Sequence, residues 1–154
     1  MSANNLMRRN VAILAICLAL MMSATSLVII TSALAGVILA PSKIWATVPL
    51  ACMFIGSLSC AIPASLLMKR IGRRAGFSVG LGFALAGAVI ATLGLLENSF
   101  LVFCVGSLLI GLFNGFGQFY RFAAADAASE AYRSRAISWV MAGGVVAAFV
   151  GPNL

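Results

Sequence analysis

The sequence has no histidine, and its 154 residues include only three acidic ones, Glu97, Asp126 and Glu130. Charged residues of both signs make up 8%, against about one-quarter in a soluble domain, whose surface has to be solvated. A chain this poor in charge cannot cover a water-facing surface. A cytosolic or secreted enzyme, a disordered chain and a free-standing nucleic-acid-binding module are excluded on that ground. No long apolar run contains a histidine or a carboxylate, the groups on which intramembrane proton relays are built. The four cysteines, Cys17, Cys52, Cys60 and Cys104, form no C-x-x-C pair. P-loop and metal-ligand spacings are missing too. We therefore expect no enzyme, no cofactor and no metal. Each cysteine reads as a small apolar residue.

What is present is hydrocarbon. The chain is 63% apolar, and a spanning helix consumes roughly 20 such residues, so about five spans fit and little is left over. The charges mark them out. Uncharged stretches of 33, 25, 22, 23 and 19 residues follow Arg9, Lys43, Arg74, Glu97 and Arg135. All exceed the length of about 18 that a membrane crossing needs. They predict helices at 11–39, 44–67, 76–96, 100–122 and 136–154. The fold class is an all-α polytopic membrane protein. A β-barrel would alternate apolar and polar residues over about 10 positions, and these runs are continuously apolar.

The basic residues also give an orientation. Arg8 and Arg9 precede helix 1; Lys69, Arg70, Arg73 and Arg74 separate helices 2 and 3; Arg133 and Arg135 separate helices 4 and 5. The other side holds Lys43 and Glu97. This asymmetry places residues 1–10 in the cytoplasm by the positive-inside rule. The net charge of +7 is thus loop placement, and no nucleic-acid partner is expected. The run after Arg9 ends in Ser32-Ala33-Leu34-Ala35, but it is far longer than the apolar core of a signal peptide. Helix 1 is read as a retained span.

Small residues recur at four-residue spacing. Helix 2 has Gly56, Cys60 and Ala64; helix 3 has Gly72, Gly76 and Gly80, then Gly87 and Gly94; helix 4 has Gly111 and Gly115; helix 5 has Gly143, Ala147 and Gly151. Lipid tails are as apolar as leucine, so helices in a membrane associate through close packing at such positions. One polar stripe stands out. Ser107, Gly111, Asn114, Gln118 and Arg121 step by four and three along helix 4, which keeps them on one face. Facing lipid, the amides would be unsatisfied at a cost of kcal/mol each. Asn114, Gln118 and Arg121 are therefore candidates to line a polar cavity, with helix–helix hydrogen bonds, and snorkelling for Arg121, as the plainer reading.

The segment Ser65-Leu-Leu-Met-Lys69-Arg70-Ile-Gly72-Arg73-Arg74 resembles the signature loop G-x-L-a-D-r-x-G-r-k of the major facilitator superfamily, between the second and third spans. Leu67, Arg70, Gly72, Arg73 and Arg74 match; Lys69 stands where the family has aspartate, and Ser65 replaces a glycine. Asp126, Glu130, Arg133 and Arg135 fall in a region similar to the family's loop between spans four and five. Gly144 through Gly151 and Pro152 resemble its fifth-span motif. The arginine usual in the fourth span falls on Ser107 and is missing.

The resemblance implies a secondary transporter of small solutes working by alternating access in an inner membrane. Its partners would be the lipid bilayer, an unidentified small-molecule solute and the remaining transporter helices. Residues 11–96 would form one three-helix repeat and 97–154 an incomplete second, since five helices do not fill a six-helix half. Lys69, Arg70, Gly72, Arg73 and Arg74 would form a cytoplasmic gating loop, and helices 1 and 4 would line the path. A small non-transporting membrane protein, using its glycine grooves to bind a partner's helices, is the competing class.

Overall fold

The structure, a computed structural model, describes residues 3–120, 122–123, 138 and 141–142. Among the described residues four helices carry the fold: α1 (Ala3–Leu39), α2 (Val48–Ile71), α3 (Arg73–Leu96) and α4 (Phe100–Gly117), with a short 3-10 helix at Lys43–Thr47 before α2. Each is long and apolar enough to cross a membrane. The expected fifth helix lies outside the described residues except at 138 and 141–142. So do Arg121, Asp126, Glu130, Arg133, Arg135, Gly144, Gly151 and Pro152.

Several expected boundaries are corrected. Helix 1 begins at Ala3 rather than 11, α2 runs on to Ile71 rather than 67, and α3 begins at Arg73 rather than 76. In each case the expected boundary lies at the charges. They mark where the chain leaves hydrocarbon, but a helix satisfies its own backbone and continues through the headgroup zone. The start of helix 2 moves the other way. Residues 43–47 form a separate 3-10 turn, and α2 begins at Val48 with Pro49 in its first turn, a position where the missing N–H of proline costs nothing. Helix 4 stops at Gly117 instead of 122.

The chain divides into two compact units: Val28–Gly117, and a second drawing on both ends, Met1–Leu27 with Gln118–Leu154. In the second, Leu18 and Met21 of α1 are buried, and the Thr25 hydroxyl donates back to the Met21 carbonyl. The rest of the packing described here belongs to Val28–Gly117.

Helix α4 lies between α2 and α3. It packs extensively against both, while α2 and α3 meet each other only lightly. Half of the α4 span is buried, against 22% for α2 and for α3. Glycine makes this possible. A Cβ at Gly111 would fall on the Met53 carbonyl of α2, and one at Gly56 on the Leu108 carbonyl of α4. On the other flank a Cβ at Gly106 would sit 2.5 Å from the Ala91 nitrogen of α3, and one at Gly94 2.5 Å from the Phe103 nitrogen. These are backbone-on-backbone contacts, which gather many small dispersion gains where no hydrophobic effect operates. The contact pairs rise together along α2 and α4 and run oppositely along α3 and α4. Thus α4 is parallel to α2 and antiparallel to α3. Ala35 of α1, Ala91 and Phe103 form an adjoining cluster, with Leu39 and Ile110 against it. The small residues spaced by four in helices 2 to 4 are buried, apart from Gly72.

The α3–α4 connection is three residues long. Asn98 takes a positive φ of 52°. The Ser99 N–H donates to the Gly94 carbonyl and the Asn98 N–H to the Leu95 carbonyl, the paired bonds of a Schellman motif that satisfies the last carbonyls of α3.

These contacts predict opposite outcomes for two glycines. Gly111→Ala forces α2 and α4 apart and is expected to destabilise the folded protein by about 1–3 kcal/mol. Gly82 has nothing within 4 Å of a Cβ position, so Gly82→Ala should be neutral or stabilising by up to about 1 kcal/mol through helix propensity. Thermal unfolding of the detergent-solubilised protein compares them; equal loss in both variants would contradict the packing argument.

Candidate functional site

Two groups of sequence-selected residues are described: the basic segment between α2 and α3, and the polar positions of α4. The basic segment is not a loop. Gly72 is the only residue between the two helices, so Lys69 and Arg70 occupy the last turn of α2 while Arg73 and Arg74 occupy the first turn of α3. All four are exposed. Gly72 has φ 84° and ψ 158°, a region open to glycine alone. A side chain there would meet nothing within 4 Å, so the requirement is for the dihedral and not for space. Its N–H donates to the Met68 carbonyl at 3.1 Å, and its carbonyl accepts from the Gly76 N–H at 3.0 Å. Just beyond the turn, a Cβ at Gly76 would lie 2.5 Å from Met68 Cγ, which is how closely the helices part from the turn.

The electrostatics of the turn are uneven. Cations in the last turn of α2 complement the negative end of its dipole, whereas cations in the first turn of α3 oppose the positive end. Four positive charges within six positions flank the one-residue connection. Such a knob is suited to an anionic surface, and each basic residue at a cytoplasmic leaflet is worth about 1 kcal/mol of attraction.

On α4, Ser107 is buried at 1% exposure, and its hydroxyl donates to the Phe103 carbonyl of its own helix at 2.9 Å. The hydroxyl is thus satisfied locally, as is common for serine in a membrane helix, and a side chain the size of arginine has no room there. Asn114 is also buried, at 7% exposure, in the glycine-lined stretch between Gly111 and Gly115. Gln118 is exposed, in the turn after the last residue of α4. The single helical stripe expected along Ser107, Gly111, Asn114 and Gln118 is corrected here, while Arg121 lies outside the described residues. Gly115 and Gly117 weaken the helix, and it breaks before Gln118. The Ala123 N–H then donates to the Phe119 carbonyl in a fresh helical turn.

Two features went unread in the sequence. Ile44 and Trp45 of the 3-10 helix are exposed, the placement of apolar and aromatic anchors at a membrane interface; Pro41 and Pro49 were the signal that this segment is separate from α2. The other is Asn98, whose positive φ of 52° ends α3 and which no helical pattern announces.

The architecture now has counterparts. The chain is 42% identical over 147 residues to a protein of Brucella anthropi named riboflavin transporter RfnT, an alignment covering 96% of this chain. It is 32% identical over 109 residues, 71% of its length, to YddS of Bacillus subtilis, an uncharacterized MFS-type transporter, and 29% identical over 110 residues to YdeG of the same organism, named likewise. The chain belongs to the major facilitator superfamily. No family model matches the chain, and no solved structure matches it. The chain spans 37% of the length of RfnT and about a quarter of YddS and YdeG. These relatives favour the transporter over the small interaction protein, and with the four spans they establish a multi-pass membrane protein.

Within the superfamily signature, Gly72 has the clearest structural duty. Gly72→Ala should cost about 1–3 kcal/mol by forcing a Cβ into a glycine-only conformation. The loss should appear as lower thermal stability or membrane abundance, and D-alanine introduced there by semisynthesis should restore it. Failure of the D-residue to rescue would assign the loss to something other than backbone conformation.

Proposed function

We propose that this chain forms the N-terminal part of a secondary-active transporter, residing in the inner membrane with its N-terminus cytoplasmic, and that the transported solute is riboflavin or a closely similar flavin. The observation that carries this is identity of 42% to the riboflavin transporter RfnT across 96% of the chain. The orientation rests on the basic residues at 8–9, 69–74 and 133–135, opposed on the other side by Lys43 alone. Residues 11–96 are taken as one three-helix repeat and 97–154 as part of the next.

The mechanism is alternating access, with no covalent chemistry. A solute site has to close on one side before it opens on the other, so helices must change their packing. The cationic turn at Lys69–Arg74 sits where such a change would be read on the cytoplasmic side, and its charges gate by moving between the anionic leaflet and the protein. Because Lys69 replaces the family's aspartate, this gate works through attraction to anionic groups and not through an internal carboxylate. Asn114, Gln118 and Arg121 are the proposed contacts for solute. An amide can both donate to and accept from a polyol chain, and riboflavin carries one. Asp126, Glu130, Arg133 and Arg135 would form the second cytoplasmic loop, and Gly144, Gly151 and Pro152 the fifth-span motif.

The test is uptake of radiolabelled riboflavin by cells that lack their own importer and express the full-length protein of which this chain is the N-terminal part. Saturable uptake competed by unlabelled riboflavin is expected; no uptake at normal membrane abundance rejects the substrate. Asn114→Leu should reduce flux about tenfold, the equivalent of one lost hydrogen bond of roughly 1.4 kcal/mol. Replacing Arg73 and Arg74 with alanine should lower the turnover rate while leaving the half-saturating concentration within about twofold, since uniform binding is untouched. A change confined to half-saturation would remove the gating role.

A further inference from the structure

The basic turn between α2 and α3 continues into exposed aliphatic residues on both helices. On α2, Ile62 and Leu66 stand seven and three residues before Lys69, spacings that put all three on one helical face. Both are exposed, as are Lys69 and Arg70, while Cys60, Ala64 and Met68 take the buried side. On α3, Leu81 and Leu85 follow Arg74 by seven and eleven residues, again on one face. They too are exposed, and Gly76, Gly80 and Gly87 take the buried side. From Arg74 to Leu85 is about 16 Å at 1.5 Å per residue. That is close to the depth of one leaflet's hydrocarbon, half of roughly 30 Å. The charge at the turn is of one sign. Of the three acidic residues the described one is Glu97, at the other end of α3.

We propose that the Lys69–Arg74 turn is a binding site for one anionic diacyl phospholipid of the phosphatidylglycerol kind. Four cations joined to two aliphatic stripes of leaflet depth complement an anionic head with two hydrocarbon chains. A zwitterionic lipid brings the chains without net charge, and inorganic phosphate brings the charge without chains. The guanidinium groups hold the phosphate, since their forked donors match its oxygens. One chain runs along Leu66 and Ile62 of α2, the other along Leu81 and Leu85 of α3. Because Gly72 is the only residue between the helices, a single headgroup reaches cations of both. This differs from the general attraction of basic residues to an anionic leaflet, which is shared among many lipids; here one lipid stays with the protein after the bilayer is dissolved. The site depends neither on the identity of the transported solute nor on gating by the turn, so its test reads lipid and not flux.

The full-length protein, in detergent micelles containing phosphatidylethanolamine, is given phosphatidylglycerol with a diazirine on one acyl chain, irradiated, and digested for mass spectrometry. Cross-links are expected on the peptides that hold residues 62–66 and 81–85. Unlabelled phosphatidylglycerol should reduce them at least about fivefold, whereas added phosphatidylethanolamine or inorganic phosphate should leave them unchanged. Combining Lys69→Gln, Arg70→Gln, Arg73→Gln and Arg74→Gln should abolish these cross-links. Arg8→Gln with Arg9→Gln, which removes basic charge elsewhere, should keep them within about twofold. Labelling spread evenly over the exposed spans overturns the proposal, as does equal competition by phosphatidylethanolamine. Displacement by inorganic phosphate would reduce the site to a simple anion site and reject the lipid, and equal loss in the two variants would reject the turn. Position and competition are both read on the unaltered protein, so a variant that fails to insert leaves the test intact.

Discussion

The fold depends on the approach of helix backbones at α4. In water, the burial of apolar side chains would hold helices together; in lipid that term is absent, because a side chain leaves one apolar surrounding for another. What remains is dispersion at short range, and it is collected where Gly106, Gly111 and Gly115 let α4 come against α3 on one flank and α2 on the other. With α4 in the middle, α2 and α3 need little contact of their own. Everything else follows that arrangement: the burial of Asn114, and the outward direction of the large apolar residues such as Leu58, Leu66, Leu85 and Leu101.

The same constraint explains how the polar groups are disposed. The hydroxyls of Thr25, Thr31, Ser65, Ser78, Thr92 and Ser107 return to their own helix backbone. Among the described residues charge is confined to the helix ends, and the most concentrated charge is held at a turn so short that it belongs to two helices at once. The turn depends on the dihedral freedom of Gly72, the α4 contacts on the absence of a side chain. Glycine therefore serves two unrelated needs in one molecule, and only the dihedral need is visible in a positive φ.

Much of this was legible in the sequence because a membrane makes two strict demands. Hydrocarbon tolerates few charges, so Arg9, Lys43, Arg74 and Glu97 outlined the spans; close packing demands small residues, so Gly56, Gly111 and Gly115 announced the contacting faces. Helix ends were less legible. They depend on backbone chemistry, on Pro49 at a start and Asn98 at a stop, and not on where the bilayer ends. The candidate site was legible at Arg73 and Arg74, whose type and spacing carry the family signature. It was less so at Gln118, because a stripe drawn at 100° per residue assumes an unbroken helix, and the glycines at 115 and 117 end it.

The three-residue connection from Glu97 to Ser99 bears on how the protein enters the membrane. Its hydrogen bonds cap α3 within the turn itself, so α3 and α4 are joined with almost no slack. Neither can settle in the bilayer while the other waits in water, and the two must be delivered together as a hairpin. In the orientation proposed above, the charge that tip has to carry across is Glu97, a small cost for insertion. Of the α4 contacts, those with α3 are therefore within reach at the moment of insertion, whereas those with α2 form by lateral docking of a hairpin already in the lipid.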